Sequence, residues 1–444
     1  MKGLILVYLL AAFGSIAALR LPIIGLFVYV FFAVLRPQGL FGFAGDLSGV
    51  SLVVGLATLV GWIFKGFGNK NIGRGRAIVI ALIVFFVWCG LSSLQAQDQD
   101  AAYDSMITMA KFVMPFLIGV TLIDTEKQSR QMLWVIVIAQ GYVAFEMNLD
   151  YIRGFNLAAN GFAGMDNNCF GVSLVSTIGP AIALGLGAKK WWERILSMVC
   201  TALILHTTLL TFSRGALMGL LIVAATAFII MPKRPKYIGA MALALIIAVR
   251  FTGPQLAERY ASSFASADER DGSAQSRLDL WRDCLNVALD KPFFGVGPAN
   301  FPIVASSLGY SEGKAAHSTW MQTVAENGFP GLAALLIFFL LTIFKLWPIA
   351  RRKINDENRY KVAIATGIIM SITGFLVAGQ FVSLAGLEIP YYTAMIGVAL
   401  LKQEGLLTKS TTAPARSAPV VRTTAPARPA YLASMAVNAP ARNR

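Results

Sequence analysis

The sequence has few charged residues and few residues that bind metals. Only 14% of its 444 residues are charged, whereas a typical soluble protein has roughly 25%. It contains two histidines and four cysteines without CxxC spacing, so a structural zinc site is not expected. P-loop, GxSxG and HExxH motifs are also missing. The sequence therefore indicates neither a metal site nor a cofactor.

Long apolar runs take the place of those charges. The sequence is 56% hydrophobic, and runs of about 17–25 apolar residues match a helix that crosses a hydrocarbon layer of about 30 Å. A membrane barrel would show alternation over about ten residues instead. We therefore predict an all-α, polytopic integral membrane protein with about 12–13 transmembrane helices, the first two spans being close enough for a tight hairpin. The predicted spans are 3–19, 21–35, 47–64, 77–95, 106–123, 131–148, 169–187, 195–212, 214–231, 238–252, 330–347, 361–379 and 389–402.

The net charge of +15 is distributed by loop rather than along one surface. Every second loop is basic and the loops between them carry the acidic residues, which by the positive-inside bias predicts that the basic loops are cytoplasmic. A nucleic-acid partner is not expected, because it would require a basic stripe on a soluble face. The predicted segments are N-terminal transmembrane helices in 1–252, one large extracytoplasmic loop in 253–329, C-terminal transmembrane helices in 330–402 and a disordered, basic, Pro/Ala/Thr-rich cytoplasmic tail in 403–444.

The large loop contains short helical patterns of its own. Residues Ser276–Asp290 predict an amphipathic helix with Leu278, Trp281, Leu285 and Ala288 on one face. Gly295–Pro298 predicts a turn, and a second helix is predicted from about Ser318 to Glu326, ended by Asn327-Gly328.

Three polar residues from distant parts of the chain are predicted to lie on the outer side. Arg214 interrupts a long apolar run, Arg277 opens the amphipathic helix, and His317 precedes the second loop helix. A guanidinium can bind a diphosphate through two hydrogen bonds at once, and an imidazole can accept a proton at neutral pH. The alternatives are a snorkelling Arg214, a solvated Arg277 paired with Asp279 or Asp283, and a His317 that only packs.

Other ionisable residues within spans are weaker candidates. Lys111 lies one turn inside the 106–123 span, where it either binds substrate or snorkels to the headgroups. His206 is expected to have a hydrogen-bonded structural role. Glu326 is about half a turn out of phase with His317, so capping or indirect support is expected of it.

At these residues the sequence resembles the O-antigen ligase/polymerase superfamily. The resemblance is carried by Thr211–Leu217, by Arg277 to Gly297 and by Ala316 to Leu332, in that order along the chain, and Asp166-Asn167-Asn168 resembles the exosortase-associated O-glycosylation ligase branch. It implies a metal-independent membrane glycosyltransferase that uses an undecaprenyl-diphosphate-linked glycan as donor. By motif position it implies His317 as the catalytic base and Arg214 and Arg277 as diphosphate-binding residues.

The expected reaction transfers the glycan, with inversion, to an acceptor hydroxyl on a glycan, lipid or protein. The expected location is the outer face of a bacterial plasma membrane, with membrane lipid as a further partner. A polymerase that joins lipid-linked repeat units is the alternative enzyme, and a flippase for an anionic lipid is the alternative outside enzymes, although the sequence lacks the internal repeat typical of transporters. Further substrate-binding candidates are Lys111, Asn168, Arg282 and Glu326.

Overall fold

The computed structural model describes residues 2–412 except for 42–46, 48, 232–238, 240–245, 247–249, 251–271, 312 and 384–386. In this part of the chain the regular elements are helices, accompanied by a single isolated β-bridge between Phe162 and Met165. The predicted all-α class is thereby confirmed. The predicted span at 238–252 lies outside the described residues apart from 239, 246 and 250. Of the tail predicted at 403–444, residues 403–412 are helical and the remainder lies outside the described residues.

Fifteen α-helices are described, and most of them coincide with predicted spans. They are α1 (Lys2–Arg20), α2 (Pro22–Leu35), α3 (Pro37–Phe41), α4 (Val50–Phe64), α5 (Arg76–Ser93), α6 (Gln99–Leu122), α7 (Glu126–Ile152), α8 (Asn167–Gly187), α9 (Trp191–Leu210), α10 (Arg214–Ile230), α11 (Gly272–Asp290), α12 (Phe301–Ser307), α13 (Thr319–Ala350), α14 (Arg359–Ala378) and α15 (Ile389–Thr412). Among the described residues, eight helices have the length and composition to cross a membrane, and α2, α4 and α10 are shorter apolar helices.

Helices α8 and α14 form the centre of the bundle. Both are buried along most of their length, and they meet at Gly179 and Gly367. A Cβ atom on Gly179 would lie 2.3 Å from the Gly367 carbonyl oxygen, so the two backbones are in direct contact. Small residues permit this approach, which provides van der Waals packing where lipid offers no hydrophobic drive for helix association.

One end of the bundle is held together by ion pairs in which one partner is largely buried. The fully buried Lys402 of α15 donates to the Val120 carbonyl at 2.8 Å and pairs with Asp124 at 2.7 Å, just beyond the last turn of α6. Glu404 pairs with Lys361 at 2.9 Å and with Arg352 at 2.5 Å. A cation near a helix C-terminus also satisfies its terminal carbonyls. These contacts fix α15 against α6 and α14 at this end, hereafter the opposite end.

The loop helix α11 is present as predicted, but only part of its predicted apolar face is buried. The helix is present, but its buried residues are Leu280, Cys284 and Ala288, each with no exposed surface. Of the residues predicted on one apolar face, Ala288 is therefore buried, whereas Leu278 and Leu285 are 50% and 43% exposed. The helix has a second apolar side, formed by Leu280 and Cys284 together with Ala288, and this side packs against α13 and α12.

Helix α13 contains the predicted break between a loop helix and a span. Gly328 has φ 68° and ψ −178°, which interrupts an otherwise continuous helix from Thr319 to Ala350. The segment before the break corresponds to the predicted helix from about Ser318 to Glu326. The segment after it contains Pro330 and continues as the membrane-spanning part.

Candidate active site

The start of α10 is built by a hydrogen-bonded turn that positions Arg214. Phe212 has a left-handed φ of 52°, and Ser213 then caps the helix by accepting a hydrogen bond from the Ala216 N–H at 3.2 Å. Serine favours this position because its oxygen satisfies an otherwise unpaired amide of the first turn. Arg214 is consequently the first helical residue, and its side chain is half-buried.

The start of α8 is joined directly to that turn. Ser213 donates a hydrogen bond to Asn168 at 2.8 Å, and Asn167 donates to the Thr211 carbonyl at 3.0 Å. Asp166 caps α8 by accepting from the Cys169 N–H at 2.7 Å. The predicted substrate-binding residue Asn168 thus holds the two helix starts together, and substrate contact by it stays a prediction.

Helix α11 places Arg277 beside Arg214. Its Trp281 donates a hydrogen bond to the Ala316 carbonyl at 3.0 Å, which ties the helix to the residue before His317. Arg277 is half-buried, and this burial lowers the pKa of its guanidinium. The positive charge of Arg214 lowers that pKa further, whereas the negative charge of Asp166 raises it. Two guanidinium groups that repel one another in this way can be stabilised by an anion placed between them.

His317 lies at the start of α13 in a strained backbone conformation. Its φ is 51°, a value that only a few per cent of non-glycine residues adopt. The following residue, Ser318, caps α13 by accepting from the Met321 N–H at 3.2 Å, and Thr319 donates to the Val382 carbonyl at 2.8 Å. These bonds hold in place the backbone on the C-terminal side of His317.

The environment of His317 favours a neutral imidazole. Burial lowers its pKa below the ordinary value of 6.5, the positive charges of Arg277 and Lys314 lower it further, and Asp166 opposes them. A neutral imidazole at neutral pH has a free lone pair and can accept a proton. The lowered pKa of His317 is in the direction that a general base requires.

The structure therefore brings the three predicted catalytic residues into one electrostatic cluster. Arg214 acts on Arg277, Arg277 acts on His317, and Asp166 acts on both Arg277 and His317. We refer to these four residues as the Arg214–His317 cluster and to their end of the bundle as the site end. Asp166 belongs to the motif Asp166-Asn167-Asn168 but was not predicted as a site residue. Its position before two asparagines at the start of a span could have indicated a role at the site.

A second polar group at the site end contains the predicted residue Lys111. Its charge acts on Glu388, which pairs with Arg36 at 3.3 Å. Arg36 also donates to the Ala163 carbonyl at 3.5 Å, three residues before Asp166. Sequence reasoning missed Arg36 because it follows a span like many membrane-flanking arginines. Lys111 itself is exposed and its role in substrate binding stays a prediction.

Two other candidates lie apart from the Arg214–His317 cluster. Arg282 is exposed and lies five residues after Arg277, which places it about 140° around the helix. Glu326 is 6% exposed and accepts a hydrogen bond from Gln322 at 2.9 Å. Its carboxylate also accepts from the N–H groups of Ala299 and Phe301, at the start of α12. These contacts are consistent with the capping and supporting role expected for Glu326.

Two residues of α5 anchor the loop that carries the site, and sequence reasoning did not single them out. Trp88 donates to the carbonyls of Phe293 at 3.1 Å and Asn327 at 3.0 Å. Ser92 is fully buried, and its hydroxyl lies 2.5 Å from the Phe294 carbonyl and 2.9 Å from the Glu326 carbonyl. The turn after α11 and the break in α13 are therefore fixed to the same transmembrane helix.

The other histidine has the structural role predicted for it. His206 lies 2.5 Å from the Asn148 side chain, between α9 and α7, and its ring meets that of Tyr151 edge to face. Among the described residues, no group of three or more His, Cys, Asp and Glu side chains has the arrangement of a metal site.

Comparison with known families identifies two segments of the chain. Residues 197–336 match the family model described as O-antigen ligase, a segment that includes Arg214, Arg277 and His317. Residues 1–155 match a family of unknown function. No curated protein matches the chain. The match over residues 197–336 supports the resemblance of this chain to the O-antigen ligase/polymerase superfamily.

Proposed function

We propose that this protein is a membrane glycosyltransferase that transfers a glycan from an undecaprenyl-diphosphate-linked donor to an acceptor hydroxyl. The observation that carries the proposal is the electrostatic coupling of Arg214 at the start of α10, Arg277 in α11 and His317 just before α13, all within the segment that matches the O-antigen ligase model. The motif Asp166-Asn167-Asn168 further favours the exosortase-associated O-glycosylation ligase branch.

In the proposed reaction His317 is the general base. Its neutral imidazole takes the proton from the acceptor hydroxyl as the oxygen attacks the anomeric carbon of the donor glycan. The bond between that carbon and the diphosphate oxygen breaks, and its electron pair leaves with undecaprenyl diphosphate. Direct displacement inverts the anomeric centre. The proton ends on the imidazole, whose positive charge the nearby Asp166 stabilises.

The two arginines stabilise the leaving group. The diphosphate gains one negative charge as the glycosidic bond breaks, and guanidinium groups held in position beforehand stabilise that charge without reorganisation in the transition state. Arg214 is additionally the first residue of α10, where the helix N-terminus favours an anion. The proposed mechanism needs no metal ion, because the arginine side chains supply the positive charge that stabilises the diphosphate.

We propose that the site end faces the outside of a bacterial plasma membrane. The support is the basic character of the connecting loops at the opposite end, such as residues 65–76 and 345–361. Single cysteines placed at Asp290 and at Lys70 test this with a membrane-impermeant maleimide in intact cells. Labelling at 290 alone is expected, and labelling at 70 alone or at both positions would contradict the orientation.

The reaction itself is tested with purified protein in nanodiscs. The donor is a radiolabelled oligosaccharide on undecaprenyl diphosphate, offered with a glycan, lipid or peptide acceptor and with EDTA present. The expected product is the glycosylated acceptor with inverted anomeric configuration, detected by NMR. Elongation of one donor by another would identify a polymerase. Donor binding without any bond cleavage would favour a transporter instead and would overturn the proposal.

A further inference from the structure

Helix α11 has an apolar face that no described residue covers. Leu278, Leu285 and Leu289 are 50%, 43% and 61% exposed, and their spacing of seven and four residues places them within about 40° of one another around the helix. This row is hereafter the leucine stripe. If a helix of a soluble loop exposed leucines that contact neither protein nor lipid, these leucines would be scattered around the helix rather than aligned.

The two remaining faces of α11 indicate how the helix is oriented. One face holds Leu280, Cys284 and Ala288, which are fully buried against the rest of the protein. The other carries Asp279, Asp283 and Asp290, about 100–140° from Leu278. The helix therefore has a protein-facing side, an acidic side and an apolar side, which is the pattern of a helix at a boundary between lipid and water.

The leucine stripe continues into the surface of the transmembrane helices. Phe293, just after α11, is 66% exposed and its carbonyl is held by Trp88 of α5. Leu94 at the end of α5 is 75% exposed, and Phe329 at the break in α13 is 41% exposed. The segment that follows the stripe is thus attached to α5 and α13, the Phe329 N–H donating to the Pro292 carbonyl at 2.9 Å, and both helices have the length and composition to cross a membrane.

We propose that α11 lies in the lipid leaflet at the site end, with the leucine stripe inserted at the boundary between headgroups and acyl chains. Arg282, exposed at about 40° from Leu278, then lies at the edge of the inserted face and can reach lipid phosphates. A second protein chain fits the stripe less well. Three leucines in one row offer much less area than the roughly 800 Å² per partner of a stable interface.

Insertion of α11 has a consequence for the site that rests on the proposed function. Arg277 lies about 100° from Leu278, on the protein-facing side. An inserted α11 therefore holds its guanidinium at the depth of the headgroups. This is the depth at which the diphosphate of a lipid-linked donor lies while its isoprenoid chain remains in the leaflet.

The depth of α11 can be measured without any reaction. Nitroxide labels on single cysteines at Leu285, Leu289 and Asp290, in nanodiscs, are compared for their collision rates with oxygen and with a water-soluble nickel chelate. Of the native cysteines, Cys89, Cys200 and Cys284 are buried, and signal from labelled wild-type protein is subtracted. We expect labels at 285 and 289 to favour oxygen and the label at 290 to favour nickel.

Two results would overturn the proposal. Preference for nickel at 285 and 289 would place the stripe in water, and protection from both reagents would place it against a protein. As a second measurement, the Leu285→Glu/Leu289→Glu variant should shift a label at position 278 from oxygen toward nickel, whereas Asn286→Glu, which adds charge beside the stripe, should not. Equal shifts in both variants would count against insertion. None of these readouts depends on transfer activity, so failure of the proposed reaction would leave them valid.

Discussion

Replacing Gly328 by alanine should detach the site-bearing loop from the transmembrane bundle. The residue has φ 68° and ψ −178°, a region that is essentially restricted to glycine and costs other residues about 1–3 kcal/mol. An added Cβ would lie 2.3 Å from the Phe293 carbonyl oxygen and 2.6 Å from that of Pro292, both backbone atoms that cannot rotate away. Overpacking of this kind adds about 1–3 kcal/mol. We therefore expect Gly328→Ala to lower the free energy of unfolding by about 2–6 kcal/mol.

Two other glycines separate the causes of that loss. Gly309 has φ 91° but open space around it, so Gly309→Ala should cost only the backbone strain, about 1–2 kcal/mol. Gly379 has φ −64° and no atom closer than 3.6 Å to its added Cβ, so Gly379→Ala should cost nothing. Unfolding free energies are measured by steric trapping in bicelles. If Gly328→Ala were as stable as Gly379→Ala, the break in α13 would not be the fixed junction described here.

Three further predictions concern the charges of the site end. Arg277→Gln removes one positive charge and should raise the pKa of His317, because protonation of the imidazole then meets less repulsion. The chain has only two histidines, so the titration of His317 can be followed by NMR with ¹³C-labelled histidine. An unchanged titration midpoint would contradict the electrostatic coupling of Arg277 and His317. Arg214→Lys keeps the charge but loses the two-pronged hydrogen bond, which is worth about 1.5–3 kcal/mol, so turnover should fall by about tenfold or more at normal expression. Arg36→Gln should lower the free energy of unfolding by about 1–3 kcal/mol, because it removes the ion-pair partner of Glu388. The double variant Arg36→Gln/Glu388→Gln should lose less stability than the sum of the two single variants. Additive losses in this double-mutant cycle would mean that the two residues are not coupled.

Much of this arrangement could be predicted because the membrane imposes it on the sequence. A span needs an uninterrupted apolar run, so the bounds of helices such as α8 and α14 follow within a few residues. The break at Gly328 was predictable from Asn327-Gly328 alone. The prediction that Arg214, Arg277 and His317 lie on one side of the membrane followed from counting spans, because every second loop along the chain lies on the same side.

The rest depended on contacts that leave no periodic signal. The sequence placed Leu278 and Leu285 on one apolar face of α11, but periodicity does not show whether such a face contacts protein or lipid. Trp88 and Ser92 act through hydrogen bonds to backbone carbonyls. Because every residue has a backbone carbonyl, no sequence motif indicates which residues are their partners. Arg36 reaches Glu388 across 352 residues of sequence, and neither residue is unusual for the end of a span.

The central claim is that His317 acts as a general base, and turnover of His317→Gln per folded molecule tests it most directly. Glutamine can keep a hydrogen bond to the acceptor hydroxyl but cannot carry its proton away. We expect turnover of both His317→Gln and His317→Ala to fall by about 10²–10⁴-fold, with nearly unchanged donor affinity and with loss of the ascending limb of the pH profile. His206→Gln, which changes the structural histidine, serves as the control for folding. If His317→Gln transferred glycan at the wild-type rate, His317 would be a packing or capping residue and the proposed mechanism would be wrong.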